Sequence, residues 1–405
     1  MSETALHIAS GNGHVEMVKM LLVHPHIDVN QKGDFGGTAL YVAAQNGHIE
    51  VVKVLLSDPD LDVIQGNEDG MTALHSASSK SHVEVVKVLL AHPLIDVNQH
   101  FRGCTALYLA SGNGHVEVVK VLLAHPHIDV NQQVKGWTAL YIALFKGHVE
   151  VVKVLLSDPL INVNQQNNDG DTALHIASKG GHVEMVKVLL AHPHIEVNPK
   201  NNSGWTALFV ACGSGEASVV RVLLKDPRVD ITLAVHDGQT PLWYACYEGH
   251  AEVIKWLIAS GRDLGFLNKK AKYWENGEEY TALEVAKRNG RIEVVSLLER
   301  FMTNPAQTRN EVCVELGVLD ELAAEFYAII VFLCDDILRV RQQPRCDAVR
   351  FFSIAMKLPM DLQMILCNRV CGSKKDSILS KNSESAFRSL TVTTSASFSS
   401  TFSSS

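Results

Sequence analysis

The residues of this 405-residue chain most able to do chemistry are its nineteen histidines and eight cysteines. The histidines cluster best at His24-Pro25-His26, His125-Pro126-His127 and His192-Pro193-His194. Two imidazoles around a proline could begin a metal site, but a closed site needs four ligands at about 2 Å from one ion. Cys367 and Cys371 share a helix face with Cys346 as the nearest third thiol, and three cysteines without a fixed spacing are a weak zinc signature. Gly11-Asn12-Gly13 and Gly112-Asn113-Gly114 look like the start of a phosphate-cradling loop, yet they lack a third glycine and a preceding strand. No Gly-x-Ser-x-Gly, phosphate loop with its lysine, or His-Glu-x-x-His occurs. Catalysis therefore has no motif behind it, and no cofactor or metal is expected.

The elements that hold these residues explain most of them. Thr4 to Leu22 and Thr172 to Leu190 agree at sixteen of nineteen positions across 168 residues. The same opening returns at Thr38, Thr72, Thr105, Thr138, Thr206, Thr240 and Thr281, with spacings of 34, 34, 33, 33, 34, 34, 34 and 41. Such a period marks a repeat architecture. In the unit that begins at Thr172, the threonine is an N-cap, and Ala173, Leu174, Ile176 and Ala177 form one face of a short helix. Gly180-Gly181 stops that helix. A second helix follows from His182 to about His192, with Val183, Val186, Leu189 and Leu190 on one face, and Pro193 ends it. A polar, turn-rich stretch leads to the next threonine. The His-Pro-His clusters fall at the ends of second helices, where a cation complements the dipole. Their repeats stack about 10 Å apart, too far to share an ion.

One such unit cannot bury its own apolar face, whereas stacked neighbours can. The pattern Thr-Ala-Leu-His-x-Ala…Gly-His-Val-Glu-x-Val-x-x-Leu-Leu…Asp-Val-Asn resembles the ankyrin repeat family over residues 1 to about 303. Alanine stands where the family has proline, except at Pro241, and His-Pro or Asp-Pro replaces the glycine turn after the second helix. The resemblance implies an all-α-dominated solenoid of about nine helix-turn-helix units with hairpin-like loops. It also implies a structural role for the histidines that open the second helices: His14, His48, His82, His115, His148, His182 and His250. In animal relatives, Asp-Val-Asn sites such as those at Asn30, Asn98 and Asn131 are substrates of asparaginyl hydroxylation. The plainer reading is that asparagine closes the hairpin. At the first repeat, Leu6, Val18 and Leu21 keep the interior pattern with almost nothing before them, so that end either frays or once continued an earlier repeat.

A formal charge of −8 argues against nucleic acid, which attracts basic faces. The longest apolar run, Phe326 to Cys334, is too short to span a bilayer, and no apolar N-terminal leader is present. Scattered cysteines suit a reducing compartment, so the expected setting is cytoplasmic or nuclear and the expected state monomeric. Three domains are expected: the array (1–303), a C-terminal helical segment (304–372) that caps it, and a Ser-rich disordered tail (373–405). The ninth repeat keeps an interior pattern, and Glu311 to Leu366 is too apolar to stand alone. Each surface therefore needs a cover. One helix is expected from Thr308 to Arg341, with a kink at Gly317.

The remaining chemistry is recognition. At the position where the family places histidine, this chain has Tyr41, Tyr108, Tyr141, Phe209 and Trp243. Phe35, Phe101, Trp137 and Trp205 sit in or beside the loops, and Phe145 and Tyr247 end first helices. An insertion before Thr281 adds Lys269, Lys270 and Trp274, basic and aromatic in an acidic protein. Aromatic side chains anchor protein interfaces. The expected function is thus a non-enzymatic scaffold that binds a protein on its loop face through Tyr108, Trp137, Tyr141, Phe145, Trp205, Phe209, Trp243, Tyr247, Lys269, Lys270 and Trp274. The alternative rests on Leu358-Pro359 followed by spaced apolar residues to Leu366, which resembles the opening of an F-box helix. That resemblance implies a substrate-receptor adaptor of a ubiquitin ligase, although few residues follow before the tail.

Overall fold

Each threonine of the period sits in extended backbone just before a helix, which frees its hydroxyl to accept from the first turn. His7, Tyr41, His75, Tyr108, Tyr141, Phe209 and Trp243 donate their N–H groups to these caps at 3.1 to 3.4 Å. At Thr281 the cap is reciprocal: Glu284 N–H donates to the hydroxyl, and the Glu284 carboxylate accepts from Thr281 N–H. First helices such as Ala5–Gly11, Ala39–Gln45 and Ala173–Lys179 last two turns. A left-handed residue then turns the chain, glycine at Gly13, Gly47, Gly114 and Gly181, but Ser81 (φ 63°) in the third repeat. Second helices such as Val116–Leu123, Val149–Leu156 and Val183–Leu190 follow.

The computed structural model describes residues 3–265 and 267–323 together with Gln363 and Cys367, except for the side chain of Phe35. The expected helices beyond residue 323, the F-box-like stretch at 358–366 and the Ser-rich tail lie outside the described residues. The regular structure of the described chain is almost wholly helical, with one two-stranded sheet, and the chain divides into two compact units: Met1–Val253 with Gly265–Val285, and Ile254–Leu264 with Ala286–Ser405.

In the first unit, each first helix packs on the first helix of the next repeat from the first repeat to the eighth, and second helices do so from the first to the seventh. Leu40, Leu74, Leu107, Leu140, Leu174 and Leu208 are buried between them, as are Val52, Val86, Val119, Val152 and Val186. These positions follow the 3.6-residue period. The insertion forms the sheet, Ala271–Lys272 against Glu279–Tyr280, with Ala271 opposite Tyr280. It is tied to the eighth hairpin by Lys272 N–H to Asp237 C=O (2.9 Å) and by Gln239 Nε2 to Lys272 C=O (2.7 Å).

The second unit contains Ile292–Thr303 and a helix, Pro305–Glu315, that packs on it. Thr308, Val312 and Cys313 are buried. Arg309 Nε donates to the Ile258 carbonyl at 3.2 Å, and Lys255 lies 2.8 Å from Glu315 and 3.4 Å from Glu293. The helix expected to run on through Gly317 stops at Glu315. Gly317 has a φ of 70° and breaks the helix there, and a new helical stretch begins at residue 318.

Candidate functional site

The histidine three residues after the capping threonine forms a staple to the next repeat. His7, His75 and His175 place Nε2 2.9 to 3.0 Å from the carbonyls of Gly37, Gln99 and Trp205. A carbonyl only accepts, so Nε2 carries the proton and Nδ1 accepts from the threonine hydroxyl at 2.7 to 2.9 Å. Burial holds His75 and His175 below the ordinary imidazole pKa, which keeps the staple neutral.

Two of the aromatic replacements, Tyr141 and Trp243, keep this chemistry. Tyr141 donates its hydroxyl to the carbonyls of Asp171 (2.9 Å) and Gln165, and Trp243 Nε1 donates to Tyr280 C=O at 2.9 Å. Burial and the nearby Asp171 carboxylate push the Tyr141 phenol up, so it stays a donor. Phe209 has no donor and stacks instead on Trp205 (5.6 Å) and Tyr244 (5.0 Å). Tyr141, Phe209 and Trp243 are only 2%, 1% and 2% exposed. The sequence suggests them as contact residues; the structure places all three inside. Their roles are to staple repeats and to support other rings. Tyr108 is half-buried.

Two groups of rings reach the surface of the first unit. In one, Trp274 is 47% exposed, with Tyr247 4.6 Å away edge-on and Tyr273 stacked at 5.6 Å. Tyr247 stacks in turn on buried Trp243, nearly parallel at 6.1 Å, and Tyr244 continues the row to Trp205 at 6.1 Å. Lys269 and Lys270 are exposed just before the sheet. In the other, Phe145 is 57% exposed and meets half-buried Trp137 edge-to-face at 5.3 Å, with Tyr141 beneath Trp137 at 6.5 Å. Trp137 and Phe145 line a cleft of about 370 Å³ with Ile176, Asp169, Asp171 and His182. Trp205, Tyr247 and Trp274 thus belong to one row of rings, with Lys269 and Lys270 exposed a few residues before Trp274 in sequence, and Trp137 with Phe145 forms another group. Tyr244 was missed by sequence reasoning because it lies one position beyond the variable staple. Its ring contacts Phe209, Trp205, Tyr247 and Trp274 and joins the row together.

The groups that could act chemically are otherwise occupied. His48, His82, His115, His148 and His250 bring Nε2 within 2.9 to 3.1 Å of a carbonyl of the preceding repeat. Burial raises the thiol pKa of Cys212 and Cys246, so neither is a ready nucleophile. Among the described residues no group of three or more His, Cys, Asp or Glu could hold a metal ion, and no helix is long and apolar enough to cross a membrane. The asparagines of the Asp-Val-Asn sites clamp successive repeats. Asn30 Nδ2 donates to Asp60 C=O at 2.6 Å, and its Oδ1 accepts from Asp62 N–H at 2.7 Å. Asn98, Asn131, Asn164 and Asn198 do the same to the repeats that follow them.

Among solved structures, the ankyrin repeat domain of Bcl-3, a unique member of the IkappaB protein family, is 26% identical, covering 52% of this chain and 94% of its own, with a TM-score of 0.49. The human ASB11 ankyrin repeat domain is also 26% identical, covering 52% of this chain and 92% of its own, with a TM-score of 0.46. A search of curated proteins gives no match. The family model described as ankyrin repeats (3 copies) matches residues 6–100, 93–167, 158–235 and 227–305. Repeats of this kind are generally protein–protein interaction modules, and proteins built from them are typically non-enzymatic. With matches that run from the first repeat through the ninth, this chain belongs to the ankyrin repeat family.

Proposed function

We propose that the protein is a non-enzymatic scaffold that holds a protein partner on its hairpin and first-helix surface through Phe145, Trp137, Trp205, Tyr247 and Trp274. One observation carries this reading: the exposed rings rest on buried ones that are themselves fixed to backbone carbonyls. Trp274 lies against Tyr247 and Trp243, and Phe145 lies against Trp137 above Tyr141. Rings held in this way lose little freedom on binding, and that preorganisation supports affinity. They are also the residue types that dominate interface energetics. Lys269 and Lys270 add a basic margin beside Trp274.

The test is affinity capture with the full chain and with Phe145→Ala/Trp274→Ala, melting both proteins in parallel. Phe145 is 57% and Trp274 47% exposed, and the parallel melt separates lost contacts from lost stability. Loss of the captured proteins with an unchanged melt supports the reading. Unchanged capture removes these rings from the interface.

A further inference from the structure

Six of the histidines that begin second helices have a repeat before them: His48, His82, His115, His148, His182 and His250. Five reach back to the carbonyl of the residue seven after the previous capping threonine, namely Gly11, Gln45, Ser79, Gly112 and Gly213. His182 makes no such bond among the described residues. The residue it would reach is Phe145, at the end of a first helix that runs one residue longer, Ala139–Lys146. A side chain at Gly13, Gly47, Gly114 or Gly215 would strike the following histidine ring, whereas the space above Gly147 is open and the His182 ring lies over Gly180. The regular joint between repeats is thus opened here, and the cleft of Trp137, Phe145, Ile176, Asp169, Asp171 and His182 occupies the opening.

Its chemistry is specific. Two aromatic faces stand nearly perpendicular (83°) beside two carboxylates. Asp169 is exposed and its carboxylate has no ion-pair partner among the described residues. Lys179 also reaches the rim, so the walls carry two carboxylates against one ammonium. The molecule holds a cation in this way elsewhere. Asp69, at the hairpin position equivalent to Asp169, pairs with Arg102, whose guanidinium lies 5.7 Å from the centre of the Phe101 ring. At Asp169 the position of the next repeat that would match Arg102 is Ser203, which supplies no cation, and the rings of the cleft, Trp137 and Phe145, come from the preceding repeat instead. The cleft's volume, about 370 Å³, is enough for one long side chain and falls within the range of about 300–1,000 Å³ usual for ligand sites. A planar guanidinium both stacks on an aromatic ring and pairs with a carboxylate, which an ammonium does less well.

We propose that this cleft receives the arginine side chain of an extended basic segment of a protein partner; the inference rests on the scaffold reading and names the chemistry of one of its contacts. The test is selection of a displayed random-peptide library on the full chain, followed by fluorescence polarisation with the enriched peptide. The expected result is enrichment of arginine and loss of affinity by about fivefold or more when that arginine is replaced by neutral citrulline, the size of a partly desolvated cation–π contact. Phe145→Ala and Asp169→Asn should each weaken the same peptide, and both side chains are exposed enough that circular dichroism stays unchanged. Equal binding of the citrulline peptide overturns the proposal, as does a peptide indifferent to both variants. Enrichment of only acidic or purely apolar sequences also overturns it while leaving the scaffold reading intact. If no peptide is selected, the inference fails, and the scaffold reading is decided by its own capture experiment.

Discussion

Repeats five and six are neighbours with the same capped helices, and they differ at two positions that matter. Three residues after the capping threonine, repeat six has His175 and repeat five has Tyr141; seven residues after it, repeat six has Lys179 and repeat five has Phe145. The first difference changes the side chain and keeps the bond: both donate to a carbonyl of the next hairpin. The second changes the joint. Phe145 lies against Trp137, and His182 gives up the reach-back that its equivalents make. Between these two repeats, substitution inside the stack keeps the donor, whereas substitution at the turn builds a surface. Function is best sought at the turn.

The sharpest way to break this distinction is to truncate an inside ring and an outside ring. Trp243→Ala removes a buried indole and its bond to Tyr280, and is expected to destabilise by about 3–5 kcal/mol in thermal or denaturant melts. Phe145→Ala should change stability by no more than about 0.5 kcal/mol. If the two cost the same, the division between staple and surface fails. Next comes the clamp: Asn131→Ala loses bonds to Leu160 C=O and Asn162 N–H and should cost about 1–2 kcal/mol, read as faster hydrogen exchange across repeats four and five. Tyr141→Phe keeps the ring and leaves the Asp171 carbonyl without its donor, for a loss of about 1 kcal/mol.

Acid separates the two kinds of staple. His75 and His175 have pKa values lowered by burial, so as pH falls the unfolded chain takes up protons first and stability drops. The stability conferred by the neutral rings is complete at pH 7.5 and declines below about 6.5, the ordinary imidazole value. Hydrogen exchange at pH 5.5 should therefore quicken around Thr72–Ser79 and Thr172–Lys179 before it does around the tyrosine-stapled Thr138–Lys146. Equal acceleration everywhere would mean that the histidine staples are not the acid-sensitive parts. The smallest effect belongs to the exposed Glu–Lys pairs. Glu150 and Lys153 lie 2.6 Å apart with both side chains half-exposed or more, and Lys153→Ala should cost about 0.3–0.5 kcal/mol at low salt and less at high salt.

Much of the fold can be read from the sequence, because a period of 33 or 34 residues with a threonine cap, a glycine turn and paired leucines places two helices and a hairpin in every unit. The break at Gly317 was legible as a weakness and proved to be an end, since a left-handed residue stops the ladder there. The site was less legible. Tyr141 and Trp243 look like interface residues by type, but type does not report burial. The usable signal was that histidine, tyrosine and tryptophan all carry a donor at one position of the period. Asn131 reads as a hairpin residue because its bonds to the next repeat depend on stacking distance, which no local pattern encodes. The opening beside His182 goes with its ring lying over Gly180, and only Phe145 at a place usually held by a small or polar residue hints at it.

The asparagine clamp touches only main-chain atoms of the repeat that follows: the carbonyls of Asp60, His127, Leu160, His194 and Arg228, and the amides two residues beyond. A joint made to the main chain carries no address. Asn30 would close equally well on the third repeat as on the second, because each presents the same carbonyl and amide at the same spacing. Excision of one whole period, or its duplication, therefore leaves the clamp intact wherever the preceding repeat carries the asparagine, which repeat two, with Ile64 in its place, does not. The clamp thereby sets no limit on the number of repeats, while the joints made by side chains, such as Phe209 on Tyr244, and the distance between the two aromatic patches are what such an exchange would alter.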